Sequence, residues 1–162
     1  KPDEAALELD GIWSKSPERI EYIIAAAEIE LVRNQPARAV EILAKKLAVS
    51  PGNHPLTMTY AKALMQNQQP HIAEEVLLAQ SRRRPDDPGL WYLLAEVQGL
   101  AGNIAGLHQS RAEYFILNGV LDAAEKQLNY ALKLTRDDYP ATARINERLR
   151  DIAELREQLK NF

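Results

Sequence analysis

The sequence predicts an all-α fold built from repeated pairs of antiparallel helices, and recurrence at one fixed interval is the main reason. Two sets of prolines recur every 34 residues: Pro2, Pro36 and Pro70, and Pro17, Pro51 and Pro85. No stretch alternates polar and apolar residues as a half-buried β-strand would.

Small and apolar residues keep the same 34-residue interval. The ladders are Ala5, Ala39 and Ala73, then Leu9, Leu43 and Leu77, then Ala27, Ala61 and Ala95. This period is typical of tetratricopeptide repeats, in which helix–turn–helix units bury their apolar stripes against their neighbours. We therefore predict a tetratricopeptide α-solenoid of about nine helices, with a half-repeat slip and a long C-terminal capping helix.

The prolines place the helix boundaries. Pro36 and Pro70 are expected to open helices, because a proline in the first turn loses no intrahelical hydrogen bond. Pro51 and Pro85 follow helices that a proline cannot continue. Small alanines are expected where helices cross, since they let the helix axes approach. The predicted helices span 2–14, 18–33, 36–49, 54–67, 70–83, 88–101, 104–117, 121–134 and 139–160.

The repeat register divides a single predicted solenoid domain, 1–162, into segments. These are a second helix of a truncated repeat (1–16), regular repeats (17–52 and 53–86), degenerate repeats (87–135) and a charged capping helix (136–162). Because Pro2, Ala5 and Leu9 are in phase with a second helix, we expect Lys1 to lie within a longer parent protein.

The register slips by half a repeat near residue 119. It predicts a proline where Gly119 stands, and the turn motif of Gly102 returns after only 17 residues (119 − 102) instead of 34. The helix at 104–117 is therefore expected to serve both as a second helix and as a first one.

The last helix carries a narrow apolar stripe of Ile145, Leu149, Ile152 and Leu159 among many charged residues. A solenoid needs an end helix with one polar face, which this segment supplies. A dimerising coiled coil is the alternative, although the stripe lasts barely two heptads, and we predict a monomer.

Composition excludes several function classes. The net charge of −3 and the lack of a broad basic surface argue against nucleic acid. No apolar run reaches the roughly 20 residues of a membrane-spanning helix. There is no cysteine, no HExxH motif and no glycine-rich phosphate loop, so we predict no catalytic, cofactor-binding or metal-binding residue and no enzymatic activity for this chain.

Four segments together resemble one family. They are DPGLWYLLAE (87–96), RAEYFILNG (111–119), LDAAEKQL (121–128) and RINERL (144–149). Their order, with the half-repeat slip, resembles the C-terminal tetratricopeptide region of the BepA-like periplasmic zinc metalloproteases of Gram-negative bacteria.

The resemblance implies a periplasmic parent with a zinc peptidase domain outside this chain. It implies docking of client outer-membrane proteins, of the outer-membrane assembly machinery, or of the parent's own protease domain. The alternative is a stand-alone scaffold of pilus or cell-envelope assembly.

The first helices of the repeats are expected to line a groove that binds protein partners. The predicted groove positions are Ile24, Glu28, Leu31, Met58, Lys62, Met65, Tyr92 and Glu96, and Tyr114 and Phe115 are further candidates. Flexible methionines and an aromatic ring suit contact with extended or helical apolar peptides. Several of these residues have an alternative role in completing the core.

The only basic run is Arg82-Arg83-Arg84. At a helix C-terminus it would offset the negative end of the helix dipole and stay solvated. The functional alternative is a docking patch for an acidic partner surface or for phospholipid headgroups.

Overall fold

The computed structural model of the chain describes residues 19–160. This part of the chain forms eight α-helices and no strand, so the prediction of an all-α fold is confirmed for it. The predicted helix at 2–14, with most of the truncated repeat, lies outside the described residues. The chain divides into two compact units, residues 1–82 (unit 1) and 83–162 (unit 2), and each is described here by itself.

Unit 1 contains four helices. They are α1 (Ile20–Val32), α2 (Pro36–Val49), α3 (His54–Gln66) and α4 (Pro70–Ser81). Each helix packs against the next one along the chain, and α1 also contacts α3. Pro36 and Pro70 begin their helices as predicted, and the Asn53 side chain caps α3 by accepting a hydrogen bond from the Leu56 amide at 3.2 Å.

The repeating alanines and leucines form the core of unit 1. Ala27, Ala39, Leu43, Ala61 and Leu77 have no exposed surface. Their burial follows from the ladders, because small residues lie where helices approach and leucines fill the space one turn further on.

The helix ends repeat one backbone geometry at the expected interval. Asn34, Gln68 and Gly102 all have positive φ (59°, 58° and 78°), and in each case the next amide bonds back to the helix at 2.8–2.9 Å. Gly119 has φ 73°, and the Val120 amide bonds to the Phe115 carbonyl at 2.9 Å in the same way. The same turn therefore recurs 17 residues after Gly102, while the assignment of repeats over 87–135 remains a prediction.

Unit 2 contains the other four described helices. They are α5 (Pro88–Leu100), α6 (Ile104–Leu117), α7 (Leu121–Leu134) and α8 (Tyr139–Lys160). Helix α6 packs against α5 and α7, and α7 packs against α8. The apolar stripe of α8 enters the core through Ile145 and Ile152, with Leu149 half-buried against it, whereas Leu159 is 66% exposed.

One predicted helix end is wrong. The helix expected over 70–83 ends at Ser81, so Arg82 is its C-cap and Arg83 and Arg84 follow it. The Ser81 hydroxyl donates to the Leu78 carbonyl at 3.0 Å, a local bond that competes with continuation of the helix. Within residues 19–160, no helix is both long and apolar enough to cross a lipid bilayer.

Candidate functional site

The groove positions predicted on α1 are shared between the core and the surface. Ile24 and Leu31 are half-buried and pack against the core cluster of unit 1, while Glu28 between them is exposed. The alternative considered from the sequence, that such residues help to complete the core, therefore applies to both apolar positions.

The positions predicted on α3 form a stripe at i, i+4 and i+7. Met58 and Met65 are half-buried, and Lys62 between them is exposed. Because α1 contacts α3, the fold of unit 1 brings the helices that carry these two predicted stripes together. No observation identifies a ligand for them, and their role remains a prediction.

Unit 2 contains an open cavity of about 290 Å³ at two of the predicted positions. We call it the aromatic cavity, and it is lined by Tyr92, Ala95, Glu96, Arg111, Tyr114, Phe115 and Gln127. Helices α5, α6 and α7 all contribute to it. Tyr92 is 54% exposed although most of its neighbours on α5 are buried, so its ring is presented to solvent at this cavity.

Three aromatic rings of the cavity are arranged edge to face. The centroids of Tyr92 and Tyr114 lie 5.6 Å apart with an interplanar angle of 61°, and those of Tyr114 and Phe115 lie 5.5 Å apart at 65°. Such geometry is favourable for aromatic pairs and holds the rings in place. A pre-arranged aromatic surface loses little side-chain entropy when a ligand binds.

The cavity has one charged group of each sign. Glu96 lies on its α5 wall and Arg111 on its α6 wall, and both side chains are exposed. Neither has an ion-pair partner within residues 19–160. Both charges are therefore available to a polar ligand.

Sequence reasoning identified Tyr92, Glu96, Tyr114 and Phe115 but missed Arg111 and Gln127. Arg111 stands one helical turn before Phe115, and this i, i+4 spacing is the signal that places both on one face of α6. Gln127 comes from α7, and nothing in its local sequence indicates which face of α7 meets α6.

The basic run lies in a different environment. Arg83 and Arg84 line a shallow depression of about 500 Å³ together with Pro85, Asp86 and Asp87. The Trp91 indole donates to the Pro85 carbonyl at 2.7 Å and ties this segment to α5. The two aspartates make the depression mixed in charge instead of purely basic.

Polar side chains of the described region do not gather into a metal site. Within residues 19–160, no group of three or more histidine, aspartate or glutamate side chains could hold a metal ion. His108 lies with its Nδ1 2.8 Å from Gln127 Oε1 and packs on the Tyr130 ring, with centroids 5.3 Å apart.

Comparison with known proteins relates the chain to one repeat family and one group of proteases. The model of the tetratricopeptide repeat matches residues 31–97. The beta-barrel assembly-enhancing protease of Escherichia coli (strain K12) is 29% identical over 164 aligned residues, and that of Yersinia pestis is 26% identical over 162. Each alignment covers 100% of this chain but only 33% of the relative, so the chain spans about a third of these proteins.

The aligned part is the C-terminal third of the proteases, which confirms the predicted resemblance. It is their non-catalytic part, and no catalytic domain is evident in the chain.

Solved structures agree on the fold. Residues 41 to the end of MamA from Desulfovibrio magneticus RS-1 superimpose with a TM-score of 0.65 and 18% identity, covering 94% of this chain and 86% of that one. A thermophilic TPR protein of Thermus thermophilus gives a TM-score of 0.57 at 18% identity, covering 90% and 89%. At these identities the likeness shows the fold alone, and it confirms the predicted all-α solenoid class.

Proposed function

Because this chain is a tetratricopeptide-repeat domain, a class that mediates protein–protein interaction, we propose that it docks a protein partner through the aromatic cavity of unit 2. The observation that carries this proposal is the open cavity of about 290 Å³ at Tyr92, Tyr114 and Phe115.

The chemistry of the cavity suits side chains of a bound polypeptide. Tyrosine and arginine are enriched among the residues that dominate binding energy at protein interfaces, and they act best in a pocket. Tyr92 and Tyr114 combine an apolar ring with a hydroxyl group, so they accept an apolar side chain while they hydrogen-bond to its backbone. The cavity is too small for a folded partner and is suited to one or two inserted side chains.

The proposed clients are outer-membrane proteins or the machinery that assembles them. The support is the similarity over the whole chain to proteases named for enhancing β-barrel assembly. On this proposal the domain works in the periplasm as a monomer, docks its partner for a protease domain elsewhere in the parent, and zinc belongs to that domain.

Two further surfaces remain candidates for partner contact. One is the set of predicted groove positions of unit 1, above all Met58 and Met65, which are half-buried on one stripe of α3. The other is the basic run, whose three arginines are exposed. Neither shows a cavity with arranged aromatic rings, so they rank below the aromatic cavity.

In-cell photo-crosslinking of the full-length gene product tests the proposal. A photoreactive phenylalanine analogue replaces Met58, Met65, Tyr92 or Arg83, and captured proteins are identified by mass spectrometry. Tyr139 on α8, which is 82% exposed, is the matched aromatic control.

The proposal expects outer-membrane proteins or their assembly components on the Tyr92 probe and few or none on the Tyr139 probe. Capture of pilus or other envelope scaffold proteins at Tyr92 would instead support the stand-alone scaffold. Capture from Arg83 alone would transfer the docking role to the basic run and contradict the assignment of the cavity.

A further inference from the structure

The acidic side chains of α6 and α7 all point to α8. Arg148 binds Glu113 of α6 through two hydrogen bonds of 2.8 and 2.6 Å. Arg156 binds Glu125 and Asp122 of α7, each at 2.5 Å. These three are the only acidic residues of the two helices, so every carboxylate that α6 and α7 carry is neutralised on the α8 side.

The cationic side chains of the same two helices have no such partners. Arg111, Lys126 and Lys133 are exposed, and none of them has an ion-pair partner in the part of the chain that the structure describes. The Nζ atoms of Lys126 and Lys133 lie 6.0 and 5.7 Å from the centroid of the Tyr130 ring, which they flank. Cations over an aromatic ring stay solvated and remain free to bind an anion.

This cationic surface is continuous with the aromatic cavity. Gln127 lines the cavity and also contacts His108, and His108 packs on Tyr130 between the two lysines. We call Arg111, His108, Tyr130, Lys126 and Lys133 the cationic strip. It leads from the aromatic cavity across α6 and onto α7.

We propose that the cationic strip binds an acidic peptide segment of the partner protein, with an aromatic or large apolar side chain of that segment inserted in the aromatic cavity. This inference rests on the proposed docking function and specifies the chemistry of the ligand. Charge complementarity supports it, because the chain as a whole has a net charge of −3, whereas this strip carries three cations and no carboxylate.

Glu96 gives the bound segment a direction. It is the only carboxylate of the aromatic cavity, and it lies on the α5 wall, away from the α7 lysines. A segment with its apolar side chain in the cavity would place its acidic residues over α7, since the opposite direction would bring them against Glu96. Such long-range attraction between exposed groups acts mainly on the association rate and is weakened by salt.

Fluorescence anisotropy with three labelled peptides tests the inference on the whole chain. The peptides share one length and one central phenylalanine, and flank it with glutamate, glutamine or lysine. We expect the glutamate peptide to bind at least about tenfold more tightly than the glutamine peptide, with an affinity that falls steeply between low and moderate salt.

Charge reversal tests the site. The double substitution Lys126→Glu and Lys133→Glu is expected to lower affinity for the glutamate peptide by about tenfold or more and to favour the lysine peptide. Arg144 and Arg150, both exposed on α8, supply the matched control through Arg144→Glu and Arg150→Glu, which change the net charge equally. Lys126→Gln with Lys133→Gln, checked by circular dichroism, gives a milder change that retains the fold.

The outcomes separate this inference from the proposed function. If all three peptides bind equally and Tyr114→Ala abolishes binding, the docking function stands and the acidic ligand is wrong. If no peptide binds, the inference and the assignment of the cavity both fail. If a single-stranded oligonucleotide displaces the glutamate peptide at equal concentration, the strip is a general polyanion site and the peptide assignment is overturned.

Discussion

Arg148 of α8 and Glu113 of α6 form a two-point ion pair, with Nε 2.8 Å from Oε1 and Nη2 2.6 Å from Oε2. The residues are 35 positions apart in the sequence, and both are partly buried. The hydrogen bond from Glu113 raises the pKa of Arg148 above its ordinary value, although burial acts in the opposite direction. Because the same bond orients α8 against α6, it also keeps Glu113 away from the cationic strip.

We predict that Arg148→Ala lowers the free energy of unfolding by about 1 kcal/mol, because paired-fork geometry and partial burial make this pair stronger than an ordinary surface pair. The measurement is urea denaturation, with a double-mutant cycle to Glu113→Gln. Arg144→Ala, at an exposed position of the same helix, is the control. A coupling free energy near zero would show that the pair does not hold α8 in place.

The pH dependence of this coupling follows from the sign of the shift. A raised folded-state pKa stabilises the fold at every pH below the unfolded-state pKa of the arginine, and the gain is lost only as pH rises through the higher folded value. Both values lie far above neutrality, so the coupling free energy should be the same at about pH 7 and pH 9. A decline over this range would mean that another titrating group controls the interaction.

Gly106 of α6 is expected to reject even a methyl group. A Cβ atom there would lie 2.6 Å from both Asn103 Nδ2 and Gln98 Nε2. Neither side chain moves freely, because the Asn103 oxygen caps α6 at the Gly106 amide (2.9 Å) and Gln98 accepts the Ser110 hydroxyl bond (2.6 Å).

Gly106→Ala should therefore destabilise unit 2, although alanine is favoured over glycine in a helix by about 1 kcal/mol. Thermal denaturation followed by circular dichroism measures the effect. Ala143→Gly on the exposed side of α8 calibrates the ordinary difference between the two residues. A higher melting temperature for Gly106→Ala would contradict the close packing described here.

The alanine ladder makes a prediction about unit 1. Ala61 has no exposed surface, so Ala61→Leu forces side chains or helices apart and should cost about 1–3 kcal/mol of unfolding free energy. Ala79→Leu on the exposed side of α4 should change the unfolding free energy by less than about 0.5 kcal/mol. Equal effects of the two substitutions in urea denaturation would mean that Ala61 is not at a tight helix crossing.

Tyr114 is predicted to dominate binding in the aromatic cavity. It stacks on both Tyr92 and Phe115, so Tyr114→Ala removes the central ring and leaves the other two without support. We expect a loss of at least about tenfold in affinity for a phenylalanine-containing peptide, with little change in melting temperature. Tyr139→Ala, at an exposed ring outside the cavity, should leave the affinity unchanged in the same anisotropy titration.

Most of the fold follows from the sequence because the repeat fixes both turns and core. The positive-φ residues Asn34, Gln68 and Gly102 are spaced by the repeat, and Ala27 and Ala61 are buried at equivalent places. The end of α4 was missed because a local Ser81 hydrogen bond, which does not belong to the repeat, decides it.

The site was only partly predictable. Tyr92 and Glu96 follow from the repeat register, since they occupy surface positions of a first helix. Arg111 and Gln127 depend on how α6 packs between α5 and α7, which the half-repeat slip obscures. The separation of acidic and cationic side chains depends on Arg148 and Arg156, which lie 31 to 35 residues from their partners and meet them only through tertiary packing.

The most direct test of the central claim is an NMR titration of the ¹⁵N-labelled chain with the glutamate–phenylalanine peptide. The account predicts chemical-shift changes concentrated at Tyr92, Arg111, Tyr114 and Gln127, extending along α7 to Lys126 and Lys133. It predicts little change at Met58 and Met65 of unit 1. Shifts concentrated on the unit 1 positions, with the aromatic cavity unaffected, would contradict the assignment of partner docking to this site.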